Sequence, residues 1–122
     1  MRGEKILGYS YTRETEVHSM QMEIELCGAK LIARVKGELD HHTAAQARTQ
    51  LDALLSDQEI GELALDLKGL TFMDSSGLGV ILGRYRLLAQ RGGRMTIGGA
   101  NQYVERILRM AGVYSLVSRG DV

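Results

Sequence analysis

The sequence predicts an α/β fold in one domain: a mixed sheet that opens as an antiparallel hairpin and continues with mostly parallel strands, with helices packed against it. Three observations carry this expectation. Met22, Glu23, Ile24, Glu25 and Leu26 alternate apolar and acidic with a period of two, and Cys27-Gly28-Ala29 then turn the chain into the more apolar run Lys30 to Val35. Beyond the hairpin, segments with helical apolar spacing alternate with short β-compatible runs, in the order β-β-α-β-α-β-α with a further strand segment at Tyr114 to Val117. The 122 residues, 44% of them hydrophobic, suffice for one core and call for no second domain. That domain is expected over residues 20–122. Residues 1–19 show neither period and are expected to form an N-terminal tail or extension.

The first helix follows Gly37-Glu38-Leu39-Asp40-His41-His42, with apolar positions Ala44, Ala47, Leu51 and Leu54. Asp40 can cap it, and Thr43 with Gln46 three residues on has the spacing of a capping box. Ser56 to Gly61 connects to the buried-strand run Leu63 to Leu67. The second helix starts after Asp74, whose carboxylate can accept from the amides of Ser76 or Gly77 and suits the positive end of the helix dipole. Arg91-Gly92-Gly93 ends it. The strand Arg94 to Ile97 comes next, and then a helix capped by Asn101, carrying Val104, Ile107, Leu108 and Ala111, and stopped at Gly112.

Composition excludes several classes. Formal net charge is zero, so there is no basic footprint for nucleic acid or an anionic membrane surface. No apolar run approaches the roughly 18 residues of a membrane span, and Met1 to Lys5 opens no signal peptide, so a cytoplasmic protein is expected. The single cysteine, Cys27, reads as a small core residue. Adjacent His41 and His42 point to different sides of a helix, and their i+4 mates are Ala45 and Gln46, so no metal site is expected. The serines at 75 and 76 lack the Gly-x-Ser-x-Gly elbow, and the glycines follow the helix start without a phosphate-loop pattern. No catalytic residue and no cofactor is expected.

The chemistry concentrates in Leu70 to Arg84, where a strand meets the second helix. At about 100° per residue, Leu78, Ile81, Leu82, Tyr85 and Leu88 form one stripe, expected to face the core. Opposite lie Ser76, Val80, Gly83 and Leu87, with Gly79 at the margin and Ser75 on the flank. Each helical glycine among Gly77, Gly79 and Gly83 costs about 1 kcal/mol relative to alanine. A hydroxyl beside glycines and apolar side chains suits close packing of another protein.

Phe72-Met-Asp-Ser-Ser-Gly-Leu-Gly-Val-Ile-Leu-Gly-Arg-Tyr85, with Gly37-Glu-Leu-Asp-His-His-Thr-Ala44, resembles the anti-sigma factor antagonists of the STAS domain family, most closely the sporulation branch. The resemblance spans about Met22 to Val117. It implies a binding module that captures an anti-sigma factor, itself a serine kinase, and so frees a sigma factor. Phosphorylation of Ser76 switches it off and a serine phosphatase restores it. The residues expected to meet the partner are Asp40, His41, Asp74, Ser75, Ser76, Gly77, Gly79, Val80, Gly83, Arg84 and Leu87. A small-ligand or nucleotide-sensing STAS module using the same helix start is the alternative reading.

Overall fold

The computed structural model describes the backbone of residues 4–12 and all of residues 19–122. In chain order the elements are β1 (Glu4–Thr12), β2 (Ser19–Cys27), β3 (Lys30–Leu39), α1 (Ala44–Leu55), β4 (Glu62–Met73), α2 (Ser75–Ala89), β5 (Arg94–Gly98), α3 (Gln102–Met110), a 3₁₀ turn (Val113–Ser115) and β6 (Ser118–Arg119). The described strands form one sheet whose spatial order repeats their chain order. β1, β2 and β3 are antiparallel neighbours, and β3 through β6 are parallel. Each parallel connection moves one strand onward with the same hand, so α1, α2 and α3 fall on one face of the sheet.

That face is the core. Met22 and Ile24 of β2, Ala33 and Val35 of β3, Leu63 and Leu65 of β4, and Met95 and Ile97 of β5 point to it and are buried. Ala47 and Leu51 of α1, Val80, Ile81 and Leu88 of α2, and Val104 and Leu108 of α3 pack over them. The opposite face carries the intervening polar residues. There Arg34 lies 2.9 Å from Glu25 and 3.6 Å from the buried Asp66, which also holds Lys68 at 3.1 Å. The period-two reading of β2 is therefore correct, and the mixed hairpin-then-parallel sheet is the one expected.

Four local expectations are corrected. Residues 4–12 lie in the stretch read as a tail or extension because it shows neither period, yet their backbone pairs with β2. A register shift between Ile6 and Tyr9 breaks the regular alternation on which a period-two reading depends. Residues 1–3 and 13–18 of the expected tail lie outside the described residues. The capping box at α1 does not form: Thr43 is the N-cap but makes no cap hydrogen bond, because its hydroxyl donates to the Glu38 carbonyl at 2.8 Å. α1 buries Leu55 rather than Leu54. Finally, Tyr114 to Val117 contributes most of a 3₁₀ turn, and the strand comes after it at Ser118. There Tyr114 donates to Glu105 at 2.8 Å, and burial, followed by that carboxylate, pushes its phenol up to about 12.

α1 and α2 are tied by Asp52 and Arg84, with Nε and Oδ1 at 3.0 Å but off the hydrogen-bond direction. Burial pushes the Arg84 guanidinium below the usual arginine value, Asp52 works against this, and Arg48 adds to it. The Arg84 side chain is only 11% exposed and Asp52 is 44% exposed. Asp52→Ala would strand a buried cation, and with the partner carboxylate half in water the expected loss is about 1–2 kcal/mol in urea denaturation. Arg84→Met, which removes the charge and keeps the volume, is expected to cost less than Asp52→Ala. The opposite order would show that the pair holds the helices by attraction rather than by mutual neutralisation.

Candidate functional site

The parallel sheet delivers the ends of β3 and β4 side by side, with Leu39 opposite Met73. Both strands therefore hand over to helices at one corner of the molecule. Asp74, extended at φ −121°, organises that corner. Its amide donates to the Leu39 carbonyl at 3.4 Å. One carboxylate oxygen, Oδ1, accepts from the amides of Ser76 at 2.8 Å and Gly77 at 3.2 Å. The other, Oδ2, accepts from the His41 amide at 3.2 Å, with His41 Nδ1 3.6 Å away. Asp74 is thus the N-cap of α2 that the sequence indicates, and the same carboxylate latches the loop before α1.

Asp40 does the equivalent work inside that loop. Its Oδ1 accepts from the amides of His42 at 2.8 Å and Thr43 at 3.2 Å, and its own amide donates to Thr43 Oγ1 at 3.0 Å. The His41 and His42 rings sit 4.0 Å apart, outside this bonded core. The first helix start and the serine loop are therefore adjacent. Asp40 itself is buried, so the expectation that it lies on a contact surface is corrected: it shapes the loop from within.

The phase of α2 also needs correction. Gly77, Val80, Ile81, Arg84 and Leu88 form its buried face, while Leu78, Leu82 and Tyr85 are half-buried on its flanks. Val80 was expected opposite the core, and Gly77 and Arg84 among the residues that meet the partner; all three are inside. The cause is physical. Gly77 faces inward because the helix start lies tight on the strand ends: a Cβ there would strike the Leu39 carbonyl oxygen, with Met73 Cγ at 2.7 Å and Leu39 Cγ at 2.9 Å. Arg84 can face inward because Asp52 meets its charge. Neither residue registers as core when apolar side chains alone are counted.

α2 exposes Ser75, Gly79 and Leu87, with Arg86 and Ala89 in its last turns, while Ser76 and Gly83 are half-buried. The two serines are reversed from expectation, Ser75 being the more exposed. At Gly79 and Gly83 an added Cβ would meet nothing within 4 Å. These glycines weaken a helix by about 1 kcal/mol each without any internal need for the space. They leave a bare strip of helix leading away from the serines.

An aromatic pair adjoins this corner and was not singled out from the sequence. Phe72, 36% exposed at the end of β4, stacks on Tyr103, 49% exposed in the first turn of α3, with ring centroids 5.7 Å apart. Asn101 places it, capping Val104 N at 2.8 Å through Oδ1 while its amide nitrogen donates to the Leu70 carbonyl at 3.3 Å. The available signal was an aromatic residue immediately ahead of the serine motif. Among the described residues no cluster of three metal-ligating side chains occurs, and no helix is long and apolar enough to cross a membrane.

Residues 21–120 match the STAS domain family, which covers the hairpin, the serine corner and all three helices. The chain belongs to the STAS domain family. It is similar to an anti-sigma F factor antagonist of Paenibacillus polymyxa, 46% identical across 81% of this chain and 85% of that protein. Its fold is similar to SpoIIAA in the unphosphorylated form, with TM-score 0.68, 25% identity, and coverage of 83% of this chain and 88% of that one. It is equally similar to the Bacillus SpoIIAA in the phosphorylated form, with TM-score 0.68, 26% identity, and coverage of 82% and 91%. The STAS sheet is thus the frame that sets Asp74 and the two serines at a strand-to-helix corner.

Proposed function

We propose that this STAS domain is an anti-sigma factor antagonist governed by phosphorylation of Ser76. Unmodified, it binds an anti-sigma factor that is also a serine kinase, and a sigma factor is released. Modified, it lets the anti-sigma factor go, and a serine phosphatase resets it. The carrying observation is the juxtaposition of a capped, serine-bearing helix start with the glycine strip at Gly79 and Gly83, above which no atom of the described residues stands within 4 Å of an added Cβ. Similarity to the P. polymyxa anti-sigma F factor antagonist supports the partner class.

The contact surface comprises Ser75, Ser76, Gly79, Gly83 and Leu87 of α2 with His41 across the corner. Asp40, Asp74, Gly77, Val80 and Arg84 hold that surface in shape. A phosphoryl group at Ser76 adds roughly −1.5 to −2 charges at the entrance to the strip. A partner seated on the glycines would have to bury that charge beside Asp74, which is unfavourable without a matching cation. The fold itself tolerates an anion at a helix N-terminus. Equal TM-scores to the two phosphorylation forms of SpoIIAA support a switch of surface rather than of fold.

The test is incubation with the anti-sigma kinase and ATP, followed by mapping of the phosphate by mass spectrometry. Phosphate at Ser76 is expected, together with at least about tenfold weaker anti-sigma binding by Ser76→Asp and unaltered binding by Ser76→Ala. Phosphate at Ser75 alone, or equal binding by the modified and unmodified protein, would overturn the assignment.

A further inference from the structure

The serine corner is already full of acceptors, which raises the question of what meets a phosphoryl group there. Asp74 occupies the amides of Ser76 and Gly77 with one oxygen and the amide of His41 with the other. A helix start normally offers an anion those same amides. Here they are engaged by a carboxylate, and a dianion on Ser76 would sit beside that carboxylate. Arg84, the arginine on α2 nearest in sequence, faces inward to Asp52. His41 is placed differently: its side chain is 69% exposed, and its Nδ1 lies 3.6 Å from Asp74.

We propose that His41 is the residue that reads the phosphate: its imidazole becomes the cationic partner of phosphoserine 76, with the His42 ring tilted against it. This rests on Ser76 being the modified serine. Because one carboxylate receives both amides, His41 N and Ser76 N are held within roughly 8 Å of each other. That separation lies within the combined reach of an imidazole and a phosphoseryl side chain. Among the described residues, Asp74 from the β4–α2 junction lies against the His41 ring, and Asp40 and His42 belong to its own loop. A phosphoryl group beside the ring would bring a second anion to the place where Asp74 already stands. The partner then meets a corner in which His41 is drawn towards the phosphate. In the unmodified protein the same ring rests beside Asp74.

The experiment uses the full chain with phosphoserine installed at position 76 by genetic encoding, so that no kinase is required. Histidine ring protons and the phosphorus resonance are titrated by NMR at low salt in wild type, His41→Gln and His42→Gln. On phosphorylation the His41 midpoint is expected to rise by about one pH unit, a tenfold change, with a smaller movement at His42. In His41→Gln the phosphorus midpoint is expected to rise by about half a unit, a threefold loss of dianion stabilisation. A His41 midpoint within about 0.2 unit of its unmodified value, or a phosphorus titration unaltered by His41→Gln, would overturn the proposal. The wild-type histidine titration decides the matter alone if the variant is misfolded. Should the kinase modify Ser76 while His41 ignores the phosphate, the switch stands and only its reader is wrong. Should no kinase act on Ser76, the pairing of His41 with installed phosphate is still measured.

Discussion

Gly77→Ala is expected to destabilise the protein by about 2–3 kcal/mol, although the substitution adds only a methyl group and improves helix propensity. The new Cβ would collide with the carbonyl oxygen of Leu39 and crowd Met73 Cγ and Leu39 Cγ. Met73 and Leu39 are both buried in the core, so neither can swing into solvent to make room. Relief must come from lifting the first turn of α2 off the strand ends. That movement would stretch the Asp74 amide from Leu39 and disturb the cap at Ser76 and Gly77. In urea the midpoint should fall by about 1–2 M at an unchanged slope, with the serine corner the first region to lose amide protection. Stability equal to wild type would mean that α2 does not sit against β3 as described.

The contrast between Gly77 and the other two helical glycines also shows where sequence reading reaches its limit. All three carry the same propensity cost, and nothing in a single sequence says which one is demanded by packing. Asp74 was legible because a cap is local: an acidic residue, a helix start, and amides two and three residues on. The alternation of β2 was legible because one face is wet. The phase of α2 was not, because its buried face includes a glycine and an arginine whose partners, Leu39 and Asp52, come from distant parts of the chain. The strand expected at Leu63 to Leu67 runs on to Met73, since pairing with β3 continues through two register shifts past polar Lys68 and Thr71. Those extra residues carry β4 beyond its last pairing with β5 at Asp66 and set Phe72 beside Tyr103.

At Gly79 and Gly83 substitution should push stability and binding in opposite directions. Gly79→Gln/Gly83→Gln replaces two poor helix formers with good ones at positions where a Cβ meets no atom within 4 Å. Thermal or urea unfolding should therefore show a gain of about 1–2 kcal/mol. Binding to the anti-sigma factor should fall by at least about 100-fold, equivalent to roughly 2.7 kcal/mol. The size follows from interface geometry. A specific complex needs on the order of 800 Å² from each partner. A serine corner of a few residues cannot provide that, so the strip running down α2 to the exposed Leu87 must be covered closely. Two glutamine side chains standing on it would hold the partner away from the helix along the centre of the contact, where packing matters most. If the double variant were less stable than wild type, the space above these glycines would not be open. If it were more stable and bound normally, the partner would have to approach from the Phe72–Tyr103 side of the corner, and the bare strip would have no part in recognition.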